Sequence, residues 1–463
     1  MVQFSDHGLI VSSGERAKRS LMLRAFRAAI QAAQPNALIK NRMKLINGRI
    51  LVISESKVRL DLKRFDKLIV VGAGKAAGGM AVALESMLGS TIAFGGAVTV
   101  LQGTGNNYHT RRVTINEATH PMPSIVGVRA TKEIVKLLES ATADSLVICL
   151  FSGGGSSLMC LPADGVSVAE KTKVTNLLLK SGASIEKINC VRKHLSKIKG
   201  GLLPTYTHGA TILSLIISDI VGNPLDSIAS GPTVADSSSF GEAIAALKEY
   251  EINRLVSPNI MSHLRRGSMG LIPETPKPGN HLLDRVQNVV IGDNTVACEA
   301  AVEELYKKIP SVYYLGSEWE GTARDVGSNM ASMLCSLRNG RLHSSLATPS
   351  AFVWGGETTV KVTGKGRGGR NQEGALSAIE RIGGKRGVCI GFLGTDGRDG
   401  NSDAAGAIVD YSTFQKAQAK KIEPLLYLRN NDSYHFFKRI GSSLLRTGDT
   451  GTNVADVGIA IVS

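Results

Sequence analysis

The residues of this chain that suggest chemistry are basic and hydroxyl side chains set among glycines. Val71-Gly72-Ala73-Gly74-Lys75-Ala76-Ala77-Gly78 closes a β-branched apolar run and opens a small-residue helix. Gly72, Gly74 and the Lys75 ammonium suit a phosphate or other anion cradled at a helix N-terminus. The spacing is not that of a P-loop, and it misses the dinucleotide fingerprint by one residue. The next strand ends in Val100-Leu101-Gln102, with no acidic residue for a ribose. A second cradle, Ser152-Gly153-Gly154-Gly155-Ser156-Ser157, follows the buried run Ser145–Phe151. Consecutive glycines leave N–H groups able to face an anion, and the serines add donors.

Four acidic or basic loops complete the set. Asp219 stands just past a strand, where a carboxylate serves as a magnesium ligand, as a general base, or simply as an Asx turn. Gly355-Gly356-Glu357 precedes Lys365-Gly366-Arg367-Gly368-Gly369-Arg370-Asn371-Gln372-Glu373, and arginine suits bidentate binding of phosphate or carboxylate. Gly394-Thr395-Asp396-Gly397-Arg398-Asp399-Gly400-Asn401-Ser402-Asp403 hints at an EF-hand, but Ala404 replaces the required glycine and Asp410 the terminal glutamate. Calcium is rejected, and Asp396 at a strand end fits magnesium or a nucleotide better. Asn431-Asp432-Ser433 and Thr447–Asn453 form a hydroxyl-rich turn pair. The segment Val191–Gly201, with Arg192, reads as a solvated cationic face. There is no nucleophile elbow and no H-E-x-x-H, and His120, before Pro121, reads as structural.

Alternating strands and helices must position these loops. Strands are expected at Lys67–Gly72, Ala97–Leu101, Ser145–Phe151, Leu213–Ser218, Asn288–Ile291, Val312–Leu315, Ala351–Trp354 and Gly387–Leu393, with helices at Ala76–Leu88 and Thr131–Leu138. Such alternation implies parallel sheets covered by helices, with ligands at the carboxyl ends of the strands. The Pro-rich stretch Gly267–His281 marks a domain boundary at 272/273, and Asn339–Ser350 is a second soft spot.

Composition narrows the classes. At about 150 residues per domain, 463 residues make two or three domains. The charge, 54 basic against 39 acidic residues or +15, favours anionic ligands. Only 5% of residues are aromatic, which argues against a stacking-based nucleic-acid binder. No apolar run reaches the length of a membrane span. Six cysteines without metal-ligand spacing suggest reduced thiols. A cytoplasmic protein is expected, with mitochondria as the alternative.

The motifs GAGKAAGGMA, SGGGSSL, SGASIEKINCVRKHLSKIKGG, SDIVGNPLDSIASGPT, GGETTV, GKGRGGRNQE, GTDGRDGNSDAAGAIVD and NDSYHFF…TGDTGTNVADV together resemble the glycerate kinases with a C-terminal MOFRL domain. The resemblance covers roughly Leu21 to the C-terminus. It implies ATP- and magnesium-dependent phosphorylation of D-glycerate. It also implies two α/β domains, each with a mostly parallel sheet, Rossmann-like in the N-terminal one, and an active site in the cleft between them. By carry-over, Lys75 and Arg370 are catalytic, Gly72, Gly74 and Ser152–Ser157 bind nucleotide, and Asp219 and Asp396 hold the metal. Arg192, Arg367 and Asn371 are candidates for the substrate. ATP, Mg2+ and D-glycerate are the expected ligands; nucleic acid and membrane are not, and a homo-oligomer stays open. Some relatives carry the label hydroxypyruvate reductase, so a nicotinamide-dependent reductase is the alternative, and a basic nucleic-acid binder the more distant one. One departure is Gly400-Asn401-Ser402, where many relatives read Gly-Pro-Thr.

Overall fold

The β-branched runs become buried strands, because a strand covered on both faces needs apolar side chains at every position. The computed structural model describes residues 3–5, 7–54, 56–89, 93–340 and 349–463. The central part of the expected soft spot Asn339–Ser350, 341–348, lies outside them. The chain groups into two units, Leu38–Ser218 with Asn223–Ile291, and Met1–Ala37 with Asp219–Gly222 and Gly292–Ser463.

The first unit begins with a small antiparallel sheet of β1 (Met43–Ile46), β2 (Ile50–Ile53) and β3 (Arg59–Asp61). Its main sheet contains β4 (Lys67–Ala73), β5 (Phe94–Leu101), β6 (Val113–Ala118), β7 (Ser145–Ser152), β8 (Thr211–Ile217) and β9 (Val286–Gly292), in the order β6-β5-β4-β7-β8-β9. Strands β4 to β8 run parallel. From β4 the chain builds outward through β5 and β6, then returns to the other side of β4 for β7, β8 and β9. The strand order therefore reverses between β4 and β7, and the crevice at their carboxyl ends is where doubly wound folds bind ligands.

The second unit contains β10 (Ser311–Tyr314), β11 (Ser350–Gly356), β12 (Val388–Gly394), β13 (Gly406–Asp410), β14 (Leu444–Leu445) and β15 (Asp456–Val462), in the order β10-β11-β15-β12-β13-β14. The α/β class with two sheets is as expected, but here only β10 and β11 pair in parallel. The C-terminal strand β15 inserts antiparallel between β11 and β12, which makes the sheet mixed rather than mostly parallel. Trp354 of β11 and Phe392 of β12 meet edge to face on its core side, with ring centroids 5.4 Å apart.

The division at 272/273 falls inside the first unit. The Pro-rich stretch is a connection that delivers β9 to the far edge of the same sheet. The N-terminal 37 residues group instead with the second unit. Their helix Arg16–Ala32 buries Arg19, whose Nε donates to Asp410 at 2.7 Å with neither side chain exposed. Such a pair is strongly destabilising to break from one side, so it ties this helix to the end of β13. All six cysteines are buried free thiols. Among the described residues no helix is long and apolar enough to cross a membrane.

One buried group makes a pH prediction. Lys171, on the helix Val168–Lys180, donates to the carbonyls of Arg192 (3.2 Å) and Leu195 (2.8 Å). Burial pulls its amine down to about 8. The unfolded chain keeps that proton to about pH 10.4, so the contribution of Lys171 to stability rises as pH climbs from about 8 towards 10 and is lost as pH falls through 8, while thiols such as Cys149, which burial pushes up to about 12, titrate with the opposite sign. Urea titrations of both proteins should show the wild type gaining stability relative to Lys171→Met as pH climbs from about 8 towards 10.

Candidate active site

Two centres emerge, one in each unit. In the first, the loops after β4 and β7 lie side by side because those strands pair in register, Ala73 opposite Phe151. The Lys75 N–H donates to the Gly153 carbonyl at 2.9 Å, and the Ser152 hydroxyl accepts the Ala76 N–H at 2.9 Å. Gly74 adopts φ +145°, and a Cβ there would sit 2.1 Å from Ser152 Oγ, so glycine lets the two turns interlock. Gly154 adopts φ +84°, and a Cβ there would lie 3.0 Å from His120 Cδ2 and 3.6 Å from Lys75 Cγ. His120, which the sequence suggests is structural, thus joins Lys75 and the glycine loop from the carboxyl side of β6. The Ser157 hydroxyl donates to the Gly154 carbonyl at 3.0 Å, while Ser156 and Ser230 share a hydroxyl hydrogen bond of 2.9 Å. Gly72 belongs to the strand itself, packed on Leu150. The expected nucleotide-loop residues and Lys75 are therefore brought together at the switch point.

The second centre forms where β11 and β12 end on either side of the start of β15. Asp456 pairs across to Gly356 and to Gly394, so one carboxylate stands between the Glu357 and Asp396 loops. Arg370 opens the helix Arg370–Ile382. Its guanidinium grips Asp456 through Nε and through Nη2 at 3.2 Å, while Nη1 lies 2.8 Å from Glu357 Oε1. Burial alone would lower the arginine's pKa, but Asp456 and Glu357 raise it above the ordinary value. Asn371 is buried and donates to Asp456 at 2.9 Å and to Asp399 at 3.4 Å. Its amide thus serves the carboxylates of its own unit. Asp399 is also buried and accepts the N–H groups of Asn371 (3.0 Å) and Gln372 (2.8 Å). It caps the helix that carries Arg370, and burial pushes its carboxyl up to about 6 despite those bonds.

The remaining sequence candidates fall as follows. Asp219 groups with the second unit, its Oδ2 accepting Asn453 Nδ2 at 2.7 Å. Asp396 Oδ1 accepts the Arg398 N–H at 3.0 Å; burial raises the pKa of the Asp456 carboxyl, and the nearby Asp396 charge adds to that rise. Among the described residues no three His, Cys, Asp or Glu side chains form a metal cluster. Arg367 stacks on Tyr434, 4.5 Å from the ring centroid, and donates to the Asn401 carbonyl at 2.8 Å. With Arg398, Asp403 and Asp449 it lines a cavity of about 500 Å³. Arg192 lies in the first unit on the helix Ile185–His194, where burial lowers its pKa. The segment around it is not a solvated cationic face, because Lys193, His194 and Lys199 are all buried. Lys193 is held by Asp226 at 3.1 Å and Asp236 at 3.3 Å. The Asn431 turn also has a structural task, its Oδ1 accepting the N–H groups of Thr363 (2.8 Å) and Gly364 (2.9 Å) ahead of the arginine loop.

Residues 21–265 match the family described as domain of unknown function DUF4147, and residues 350–456 match the MOFRL family. A glycerate 2-kinase of Pyrococcus horikoshii is 40% identical over 450 residues, which span 96% of this chain and 97% of that protein. The glycerate kinase of Homo sapiens is 32% identical over 488 residues, spanning 93% of this chain and 90% of that one. A crystal structure of glycerate kinase from Thermotoga maritima superposes with a TM-score of 0.82 at 36% identity, covering 96% of this chain and all of that one. With two family matches in the expected order and relatives aligned over nearly their full length, the chain belongs to the glycerate kinase family.

Proposed function

We propose that the protein is an ATP-dependent kinase that phosphorylates D-glycerate on its 2-hydroxyl, giving 2-phosphoglycerate. The class, an ATP-dependent glycerate kinase, comes with the family; the regiochemistry and the residue roles are our reading. The observation that carries it is the convergence of two glycine loops and Lys75 at the switch point of the first sheet. Backbone N–H groups in Ser152–Ser157 and the Lys75 ammonium would hold the nucleotide phosphates there. Arg370, fixed by Asp456 and Glu357, would offset negative charge on the transferring phosphoryl. Phosphoryl transfer asks the protein for positioning and charge neutralisation more than for covalent chemistry.

Magnesium fits the donor set, since it commonly takes one or two carboxylates and fills its remaining positions with phosphate oxygens and water. Asp396 and Asp219 would hold it, and when bound it would neutralise charge on the phosphate chain. Arg367 is our preferred group for the substrate carboxylate, because its guanidinium sits over the Tyr434 ring beside a cavity.

Purified protein with ATP, magnesium and D-glycerate should release ADP, and with NADH and hydroxypyruvate it should leave NADH unchanged. NADH oxidation without glycerate-dependent ADP release would favour a reductase and overturn this reading. Gly154→Ala supplies a more local test. It places a non-glycine residue in left-handed backbone, which costs about 1–2 kcal/mol, and puts a methyl against His120. The KM for ATP should rise about tenfold, with the KM for glycerate little changed.

A further inference from the structure

The first unit holds an amine that the chemistry above does not use. Lys199 is 1% exposed, and its Nζ donates to the carbonyls of Met159 (3.3 Å) and Ala229 (3.2 Å). Neither partner is a carboxylate. Ala229, Ser230 and Gly231 are three consecutive residues in left-handed backbone, with φ of 51°, 62° and 59°. The first two carry side chains, so this turn persists only where its surroundings over-determine it. The strand of contacts that does so starts at Lys199. Beyond the bond to Ala229, the N–H of Gly200 donates to the Ser230 carbonyl at 3.0 Å and that of Gly201 to the Gly231 carbonyl at 2.8 Å. The turn in turn presents the Ser230 hydroxyl to Ser156 of the glycine loop, 2.9 Å away.

We propose that Lys199 is a positioning residue for the nucleotide loop, clamping the 229–231 turn so that Ser230 fixes Ser156 in place. The inference rests on the reading of Ser152–Ser157 as the phosphate loop. Burial, with Lys171 nearby, draws the Lys199 amine down to about 7, and a neutral amine has two N–H donors for its two carbonyls. Lys199→Met would leave the Met159 and Ala229 carbonyls without this donor, a loss that lowers stability. Affinity measured on the folded protein separates the geometry it imposes from the stability it confers.

The test measures binding of a non-hydrolysable ATP analogue with magnesium by calorimetry, alongside thermal melting, for wild type, Lys199→Met, Ser230→Ala and the double variant. Lys199→Met should melt below the wild-type temperature and, in its folded form, bind the analogue about tenfold more weakly. Ser230→Ala should weaken binding to a similar degree, and the double variant should be little worse than either alone, as expected for residues in one chain of contacts. A purely structural lysine would lower the melting temperature but leave the affinity of the folded protein unchanged. Wild-type affinity in folded Lys199→Met overturns the proposal; if that variant does not fold, wild-type affinity in Ser230→Ala does so. A wild-type protein that does not bind the analogue overturns the functional reading itself, and with it this inference.

Discussion

Arg370→Lys should lower kcat on the order of 10³-fold, the low end of what an arginine at a transferring phosphoryl contributes. The substitution keeps the charge and removes the fork. In the native arrangement Nε and Nη2 engage Asp456 while Nη1 faces Glu357. A single ammonium on a flexible stem cannot satisfy both carboxylates and also present a flat donor edge to an incoming oxygen. Asp456 would keep its bond from Asn371 at 2.9 Å, and the helix would keep its cap from Asp399, so the fold should survive. Steady-state kinetics with a melting curve as control make the measurement. Unchanged kinetics in the lysine variant would mean that the arginine serves only to organise its own loop.

Lys75→Ala should reduce kcat/KM by about 10²–10³-fold, as loss of a preorganised charge at developing negative charge does. The backbone contacts of this residue do not depend on its side chain. Its N–H reaches the Gly153 carbonyl at 2.9 Å, and its carbonyl accepts from the Tyr108 hydroxyl at 3.4 Å. Truncation therefore removes the ammonium and leaves the turn. A melting temperature within a few degrees of wild type together with a collapsed turnover is the expected pair of results. Activity within a few-fold of wild type would remove Lys75 from the reaction.

Much of the first centre is legible in the sequence because its information is local. Each loop directly follows a short apolar run, and glycine at Gly74 and Gly154 signals backbone that other residues adopt at a cost. The second centre is only half legible. Arg370 stands out among its glycines, but its partner Asp456 lies 86 residues away, on a strand that no local pattern assigns to the middle of the sheet. The run Asp456–Val462 becomes central only through pairing with β11 and β12, and that pairing also turns the expected parallel sheet into a mixed one. The prolines of Gly267–His281 correctly mark an end to regular structure. They carry no information on where the chain goes next, which is to the edge of the sheet it has just left. Lys199 shows the same limit for charge. A basic run reads as solvated from its composition, and only the tertiary fold places the amine against Ala229.

The most direct test of the central claim is phosphorus NMR of the product formed from D-glycerate, ATP and magnesium. The account predicts a phosphomonoester signal that grows with ADP and is split into a doublet by the single proton on the carbon bearing the 2-oxygen. A triplet would put the phosphate on the 3-oxygen and contradict the assigned regiochemistry; no phosphomonoester from the folded protein would contradict the kinase itself.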